Sequence, residues 1–248
     1  MKVLFSPSEA KVHECVNKSI NQDTFLFSEL YLQRLEVINK FSSYIYNANM
    51  SELQDIFGTK DAQECLRLKN IDLLNSCTIA AIQRYSGVAY EHLDFASLSN
   101  DEKDFLLGNV IIFSNLFGPI LAKDQIPYYK LKQGAKIRNF KIEHYYKQNF
   151  SKDLDAFLKD EFIIDLRAGF YEKFYTLKQE HICIKFLKNG KVLSHYAKAY
   201  RGLLLRKIAK YQPQSLEAFQ KMDFKGLHVK EILAHKHNLE FVFEIDAI

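Results

Sequence analysis

The side chains best suited to chemistry in this sequence are cations, and several of them stand on one predicted helix. Residues 194–207 read SHYAKAYRGLLLRK and contain no carboxylate. At about 100° per residue, one stripe of this helix carries His195, Lys198, Gly202 and Arg206, with Arg201 at its edge. Solvated helix faces usually interleave Glu with Lys for pairing at i,i+4. We interpret the stripe as a binding face, with an ordinary solvated basic face as the alternative.

The other side of the same helix is apolar and is predicted to face the core. Its members are Tyr196, Tyr200, Leu203, Leu204, Ile208 and Tyr211. Gly202 lies within the basic stripe, although a mid-helix glycine costs about 1 kcal/mol relative to alanine. We therefore expect another group to approach the helix backbone closely at Gly202.

A second basic segment mixes cations with aromatic rings. Its cations are Lys130, Lys132, Lys136, Arg138 and Lys141. Its rings are Tyr128, Tyr129, Phe140, Tyr145 and Tyr146. Lysine and arginine neutralise phosphates, and aromatic rings stack on bases or sugars. The segment favours contact with nucleic acid, although tyrosines in such positions also serve as plain core residues.

A strand-end pair is the third candidate for chemistry. The apolar run FIID is predicted to be a buried strand, and Asp165 ends it two residues before Arg167. Residues two apart at a strand end point the same way, so the two side chains either share a site or form an ordinary salt bridge. Together with Tyr171, His195 and Lys198 they include an acid, an anion clamp and a base or amine nucleophile. This set supports a second hypothesis, an enzyme acting on a nucleotide or damaged DNA.

The charge of the chain is unevenly distributed around a net value of +4. Residues 51–106 contain ten Asp or Glu and five Lys or Arg, whereas residues 123–152 contain eight Lys or Arg and two acids. Residues 181–216 contain eight Lys or Arg and no acid. Such asymmetry is typical of a surface that meets phosphates, nucleic acid or another anionic ligand.

Several other classes of protein are disfavoured. The cysteines are Cys15, Cys65, Cys77 and Cys183. They show no CxxC spacing, which favours a reducing cytoplasm and argues against disulfides and thiolate metal sites. One tight histidine pair, His235 and His237, falls short of the three or four ligands of a metal site, so we predict no metal. No GxGxxG or GxxxxGK[ST] motif is present, so we predict no cofactor. The uncharged run 106–122 is interrupted by polar residues and reads as core with a turn, and no membrane contact is predicted.

Helical patterns occur mainly in the first half of the chain. Apolar residues at helical spacing predict a helix over residues 25–46. Ser51 and Asp61 are placed to cap two further helices. Ser99 opens another with a capping box; this helix is expected to run to about Phe113 and to break before a second helical stretch.

Strand patterns are spread along the chain. Residues 2–5, 162–166 and 239–245 read as strands. Asn189 and Gly190 stand between two β-type runs and predict a hairpin, because both positions of its turn need a positive φ. Strands dispersed among helices predict an α/β or α+β fold with a mixed sheet and surrounding helices. The low Gly and Pro content predicts one domain over residues 1–248, and we expect a monomer.

Five stretches together resemble a known family. They are SPSEAK from residue 6, YSGVAY at 85–90, FSNLFGPILAKDQIPYYKLKQG at 113–134, IDLRAGFY at 164–171 and SHYAKAYRGLLLR at 194–206. In this order and spacing the chain resembles the YaaA family of bacterial peroxide stress proteins. The resemblance implies a cytoplasmic protein whose α/β fold contains a helix-hairpin-helix-like element. It also implies a positively charged cleft that binds double-stranded or structured DNA and limits oxidative damage under peroxide.

The basic stretches and the resemblance together define two groups of site residues. The predicted DNA- or anion-binding residues are Ser6, Ser8, Lys11, Tyr128, Lys130, Lys132, Arg167, Tyr171, His195, Lys198, Arg201 and Arg206. The residues predicted to shape the site are Pro7, Glu9, Gly87, Tyr90, Gly118, Gly134, Asp165, Ser194 and Gly202. The chain departs from the family's SGLxG hairpin at Asn115. It also departs from the family's SPAK loop, since Glu9 is added and the lysine is displaced to Lys11.

Overall fold

The computed structural model describes residues 1–16, 19–193 and 197–245. The helices in these ranges are α1 (Tyr31–Asn47), α2 (Met50–Phe57), α3 (Ala62–Lys69), α4 (Ala81–Arg84), α5 (Val88–Leu93), α6 (Asn100–Asn109), α7 (Ile142–Phe157), α8 (Ala197–Tyr211) and α9 (Leu216–Gln220). The strands are β1 (Lys2–Phe5), β2 (Thr78–Ala80), β3 (Val110–Ser114), β4 (Gly118–Leu121), β5 (Gln125–Pro127), β6 (Ile163–Asp165), β7 (His181–Lys188), β8 (Lys191–Val192), β9 (Leu227–Ala234) and β10 (Asn238–Ile245).

Within the described ranges, eight strands form one mixed sheet in the order β4-β3-β1-β6-β7-β10-β9, with β8 paired to β7. The five inner strands β3, β1, β6, β7 and β10 run parallel, and β4, β8 and β9 are antiparallel to their partners. A second, small sheet pairs β2 with β5. The predicted mixed sheet with surrounding helices is therefore confirmed.

The middle of the sheet is buried on both faces. Val3, Leu4 and Phe5 of β1 are at most 1% exposed, and residues 110–113 of β3 are fully buried. Continuous apolar runs of this kind are typical of parallel strands covered by helices on both sides. The core is thus built around the first strand of the chain, which lies between β3 and β6.

The segment from Ser99 to Leu121 contains the largest error of the sequence prediction. Its capping box is confirmed, because Ser99 Oγ accepts from Glu102 N and the Glu102 carboxylate accepts from Ser99 N at 2.8 Å. However, α6 ends at Asn109, and β3 and β4 follow as a β-hairpin. The predicted helix to Phe113 and the second helical stretch are wrong, and the helix-hairpin-helix-like element is not confirmed. Residues 110–112 form a strand rather than a helix because they pair with β1, and their β-branched side chains fit a buried sheet.

The predictions for one turn and for the helix starts were confirmed in part. The hairpin at Asn189 and Gly190 is confirmed, with φ of 51° and 73° at the two turn residues. Asp61 caps α3 as predicted, but the cap of α2 is Asn49 rather than Ser51. The helix expected from residue 25 begins at Tyr31, because a 3-10 turn precedes it.

Two cysteines are paired, contrary to the sequence prediction. Cys15 and Cys77 form a disulfide, and their Cα atoms are 5.7 Å apart. Their sequence separation of 62 carries no spacing signal, because the tertiary fold alone brings the two segments together. Cys65 and Cys183 are free thiols.

Two classes of feature are absent from the described ranges. No helix there is both long and apolar enough to cross a membrane. No group of three or more His, Cys, Asp or Glu side chains in the same ranges is arranged to hold a metal ion.

Candidate functional site at the carboxyl ends of the central strands

The order of the parallel strands creates a crevice at their carboxyl ends. After β1 the chain passes to β3 on one side, and it then crosses to β6 on the other side. Connections that leave in opposite directions open a gap outside the strand ends, and open α/β sheets bind ligands there. The loop after β1 supplies Ser6, Pro7, Ser8, Glu9 and Lys11 to this place, and the segment after β6 supplies residues 166–171.

The loop after β1 is held between β6 and α5. The amide of Ala168 donates to Ser6 Oγ at 2.8 Å, and the Tyr90 hydroxyl donates to the Ser6 carbonyl at 2.9 Å. Gly87, at the start of α5, lies against Ser8, whose Oγ would be 3.0 Å from a Cβ at that glycine. Ser6, Ser8, Gly87 and Tyr90 are therefore brought together, although they come from two separate stretches of the sequence.

The strand-end pair forms a salt bridge. Arg167 Nε lies 2.9 and 3.1 Å from the two carboxylate oxygens of Asp165, and its NH2 lies 2.7 Å from Oδ2. The Arg167 amide also donates to the same carboxylate at 2.9 Å. Because Arg167 is buried, this bidentate pairing neutralises a charge that would otherwise be costly to bury. The alternative of an ordinary salt bridge accounts for the pair.

The remaining donors of Arg167 serve the fold. Its NH1 donates to the carbonyl oxygens of Tyr171 at 3.3 Å and Tyr175 at 2.9 Å, and its guanidinium stacks 4.6 Å from the ring centre of Phe113. Tyr171 is itself buried, and burial raises the pKa of its phenol. Each nitrogen of the Arg167 guanidinium is therefore hydrogen-bonded within the protein, and Arg167 and Tyr171 are both buried rather than presented to an anion. Both residues instead build the floor of the crevice.

Lys11 is the most unusual ionisable group of the crevice. Its ammonium donates to the carbonyl oxygens of Ser8 at 3.0 Å and Glu9 at 3.3 Å. It lies over the ring of Tyr129, 4.0 Å from the centre, and 5.1 Å from the ring centre of Tyr85. Enclosure by these groups lowers the pKa of Lys11 to about 7, and the Glu9 carboxylate only partly opposes this shift. Lys11 therefore changes its charge near neutral pH.

A chain of buried hydroxyls runs beneath Lys11. The Tyr85 and Tyr129 hydroxyls are 2.8 Å apart, and the Ser114 hydroxyl lies 2.8 Å from that of Tyr129. Burial raises the pKa of Tyr129 to about 12, so these phenols stay neutral at physiological pH. Next to Ser114, Asn115 is 6% exposed and its Oδ1 has no hydrogen-bond partner. This amide replaces the first glycine of the family hairpin.

One wall of the crevice is the segment 128–134. The amide of Gln133 donates to Glu9 Oε1 at 2.9 Å, which joins this wall to the loop after β1. Gly134 lies against the ring of Phe170, close behind β6. Tyr128 stacks on His13 with ring centres 3.9 Å apart. The wall therefore touches both strand-end loops.

The cations of this wall differ in their partners. Lys130 forms a salt bridge of 2.9 Å with Glu64, so its charge is balanced from the acidic amino-terminal half. Lys132 is exposed and has no carboxylate partner in the described part of the chain. Three cations that follow the wall are likewise exposed and unpaired there, namely Lys136, Arg138 and Lys141, and Arg138 lines a cleft with α1.

The second wall is the first half of α8. Arg201 is half-buried, and its charge interacts with that of Asp165 at the end of β6. Burial lowers the pKa of Arg201, and Asp165 opposes that shift. Lys198 is exposed and forms no ion pair with any described residue. Ser194 and His195 lie outside the described residues.

The predicted stripe of α8 is only partly exposed. Gly202 is buried, because the carbonyl of Ala89 on α5 lies directly against its Cα. The expected close approach at Gly202 is confirmed, and the approaching group is helix α5. Arg206 donates to the carbonyl of Leu93 at 2.8 Å and to Ser97 Oγ at 2.9 Å. The carbonyl of Leu93, the last residue of α5, thereby gains a hydrogen-bond partner. Tyr211, expected in the core, is 41% exposed.

Gly118 has a role in packing. Its φ is +69°, and the ring of Tyr146 occupies the space where a Cβ would stand. The Tyr146 hydroxyl donates to the carbonyl of Leu116 at 2.6 Å, which fixes the β3–β4 turn. This glycine is thus required by a neighbouring ring, and its backbone amide is buried rather than presented at a surface.

Comparison with known proteins decides the family. A family model described as peroxide stress protein YaaA matches residues 1–233. The chain belongs to the YaaA family. An uncharacterised protein of Campylobacter jejuni is 47% identical over 245 residues, which cover 99% of both chains. A UPF0246 protein of Corynebacterium glutamicum is 30% identical over 98% of this chain and 100% of its own length. The resemblance carried by the five stretches is confirmed.

One feature of this YaaA family site, the chain of hydroxyls, was not predicted from the sequence. Tyr85, Tyr129 and Ser114 form the hydroxyl chain beneath Lys11, but their side chains come from three separate segments. All three residues do stand inside stretches typical of the family, and Tyr129 is also one of the rings of the second basic segment. The sequence did not predict that their hydroxyls meet. That contact depends on how α4, β3 and the segment after β5 pack together.

Proposed function

We propose that this YaaA family member serves in the peroxide stress response by binding double-stranded or structured DNA in the crevice. The observation that carries the proposal is the convergence of two basic segments on the same strand ends. Segment 128–134 meets the crevice through the Gln133–Glu9 hydrogen bond, and α8 meets it through Arg201 beside Asp165. Cations on two walls of one crevice suit a ligand with a regular array of negative charge.

The cations that have no carboxylate partner define the proposed contact surface. Within residues 128–141 and the first turns of α8, those in the described ranges are Lys132, Lys136, Arg138, Lys141 and Lys198. Lys198 and Arg201 stand in the first turns of α8, where the helix dipole is already positive and the helix itself contributes no acidic residue. Bound phosphates would relieve that repulsion, whereas Lys130, Arg167 and Arg206 already have partners inside the protein.

Phosphate contacts give affinity without sequence choice, so the proposal predicts a steep dependence on salt. Five neutralised phosphates correspond to a slope of roughly −4.5 in log affinity against log salt. Raising monovalent salt from 50 to 200 mM would then weaken duplex binding by roughly 500-fold.

The proposal is tested by fluorescence anisotropy with a labelled 20-base-pair duplex. Charge reversal by Lys132→Glu and by Lys198→Glu should each weaken binding and flatten the salt dependence. Lys159→Glu is the matched control, because Lys159 is an exposed lysine just before β6, at the opposite end of the strands. Equal losses in all three variants, or affinity independent of salt, would overturn the proposal.

An enzyme acting on a nucleotide or damaged DNA is the second candidate, and Lys11 is the observation in its favour. A lysine with a pKa of about 7 presents a partly neutral amine, which attacks aldehydes to form an imine with loss of water. The residues first considered, Asp165 and Arg167, are instead bonded to each other. Borohydride trapping on duplex with an abasic aldehyde, compared with Lys11→Gln and Lys198→Ala, tests this alternative. Absence of a covalent adduct in the unmodified protein would remove it.

A further inference from the structure

The disulfide between Cys15 and Cys77 lies at the surface. Cys15 belongs to the exposed segment 13–16, which follows the loop of the crevice, and Cys77 comes directly before β2. Both residues are exposed, so oxidants and reductants in solution reach them. The other two cysteines differ: Cys65 is buried and Cys183 is half-buried.

The two segments are held together without the sulfur–sulfur bond. The amide of Val16 donates to the carbonyl of Thr78 at 3.2 Å, immediately next to the two cysteines. Arg84 fixes the same segment, since its NH1 donates to the carbonyl oxygens of Val12 at 2.6 Å and Glu14 at 2.8 Å. Reduction would therefore leave the two thiols side by side. A pair of this kind closes and opens without large movement of the chain.

The surroundings of Cys77 are rich in positive charge. Cys77 lines a cavity of about 240 Å3 together with Arg67, Arg84 and His13. Arg84 is fully buried, and its NH2 group has no hydrogen-bond partner. Cations near a cysteine favour its thiolate, which is the reactive form. The cavity has room for molecules the size of water or hydrogen peroxide.

We propose that Cys15 and Cys77 form a peroxide-oxidised dithiol site, which is independent of the proposed DNA binding. The Cys77 thiolate attacks one oxygen of hydrogen peroxide, the O–O bond breaks, and hydroxide leaves and is protonated to water. This gives Cys77 sulfenic acid. Cys15 sulfur then attacks Cys77 Sγ, the S–S bond forms, the S–O bond breaks, and a second water leaves with the thiol proton.

The electrons balance over the two steps. Two thiols and one peroxide give one disulfide and two waters, so the sulfurs lose two electrons and the peroxide gains them. Two equivalents of a small thiol, or one dithiol, return the pair to its reduced form through a mixed disulfide. An accessible cysteine beside a resolving partner is the arrangement found at peroxide-sensitive sites.

The other two thiols provide internal controls. Burial raises the pKa of Cys183 to about 12 and also raises the pKa of Cys65. Both therefore stay protonated and unreactive at neutral pH. One equivalent of peroxide should oxidise the exposed pair and leave these two unchanged.

The test uses the full chain, reduced with dithiothreitol and then freed of it. After one equivalent of hydrogen peroxide, free thiols should fall from four to two, and peptide mass spectrometry should find the Cys15–Cys77 link. In Cys15→Ser, dimedone should label Cys77 as the trapped sulfenic acid. The double variant Cys65→Ser/Cys183→Ser should react as the unmodified protein does.

The rate of the first step decides whether the site is built for peroxide. We expect the protein to consume peroxide at least about tenfold faster than free cysteine at the same pH, because nearby cations raise the thiolate fraction. Four free thiols after peroxide, a rate equal to free cysteine, or a disulfide that dithiothreitol does not reduce would each overturn the proposal. These measurements on the unmodified chain need no variant to fold.

Discussion

Gly202 of α8 lies with its backbone against the carbonyl oxygen of Ala89 on α5, and the two helices cross at this point. The contact places Lys198 and Arg201 of α8 beside the crevice, because both stand within four residues of the crossing. A methyl group at Gly202 would overlap a backbone carbonyl, which cannot rotate away as a side chain can.

Gly202→Ala is therefore expected to destabilise the protein by at least about 3 kcal/mol, as overpacking against backbone does. The measurement is urea unfolding followed by circular dichroism. Gly108→Ala is the matched control, since Gly108 is also helical and a Cβ there meets nothing within 4 Å; it should be neutral or stabilising by up to about 1 kcal/mol. Equal stability of the two variants would contradict the crossing.

Asp165→Asn should destabilise the fold by about 3 to 5 kcal/mol, because it leaves the buried Arg167 guanidinium without its counter-charge. Arg167→Met should cost less, since Asp165 is the more exposed partner, with 11% of its side chain accessible against 1% for Arg167. Urea unfolding of both variants measures the difference. A loss below about 0.5 kcal/mol for Asp165→Asn would show that the pair is not structural.

Lys11 should make anion binding depend on pH. With a pKa of about 7, its charge is mostly present at pH 6 and mostly absent at pH 8. Duplex affinity at constant ionic strength should fall over this interval in the unmodified protein. In Lys11→Gln it should stay flat and match the pH 8 value of the unmodified protein. The same decline in Lys11→Gln would assign the titration to another group.

Asp124 should make stability depend on pH in the opposite way from most carboxylates. Burial raises its pKa to about 6 from 3.8, although the amides of Leu26 and Leu121 donate to it at 2.9 Å. The folded state therefore holds the proton more tightly. This contribution is present below about pH 4 and is lost as pH rises through about 6.

Asp124→Asn removes that titration and keeps an acceptor for the two amides. Relative to the unmodified protein, the variant should gain roughly 2 to 3 kcal/mol of unfolding free energy between pH 4 and pH 7. Thermal unfolding across this range measures the change. A difference between variant and unmodified protein that does not vary with pH would contradict the raised pKa.

The disulfide should stabilise the oxidised protein. Closing a loop over a sequence separation of 62 lowers the entropy of the unfolded chain. This loss stabilises the folded state by up to about 4 kcal/mol. The melting temperature of the oxidised protein should therefore exceed that of the reduced one, and reduction should not change the melting temperature of Cys15→Ser. An equal melting temperature in both redox states would mean that the bond does not persist in solution.

The sequence by itself determined the features that depend on near neighbours along the chain. The Asn189-Gly190 turn, the Ser99 capping box and the first strand are each fixed by a few adjacent residues. The ordered motifs also sufficed to identify the family. Such short-range preferences act in the same way whatever the rest of the chain does.

Only the tertiary structure decided which partners the chemical groups have. Residues 110–114 are strand because β1 lies beside them, Lys130 is paired because Glu64 folds against it, and Gly202 is buried by α5. The pairing of Cys15 with Cys77 has the same origin. Burial, charge pairing and pKa depend on groups far away in sequence, and no local pattern of residues encodes where those groups will stand.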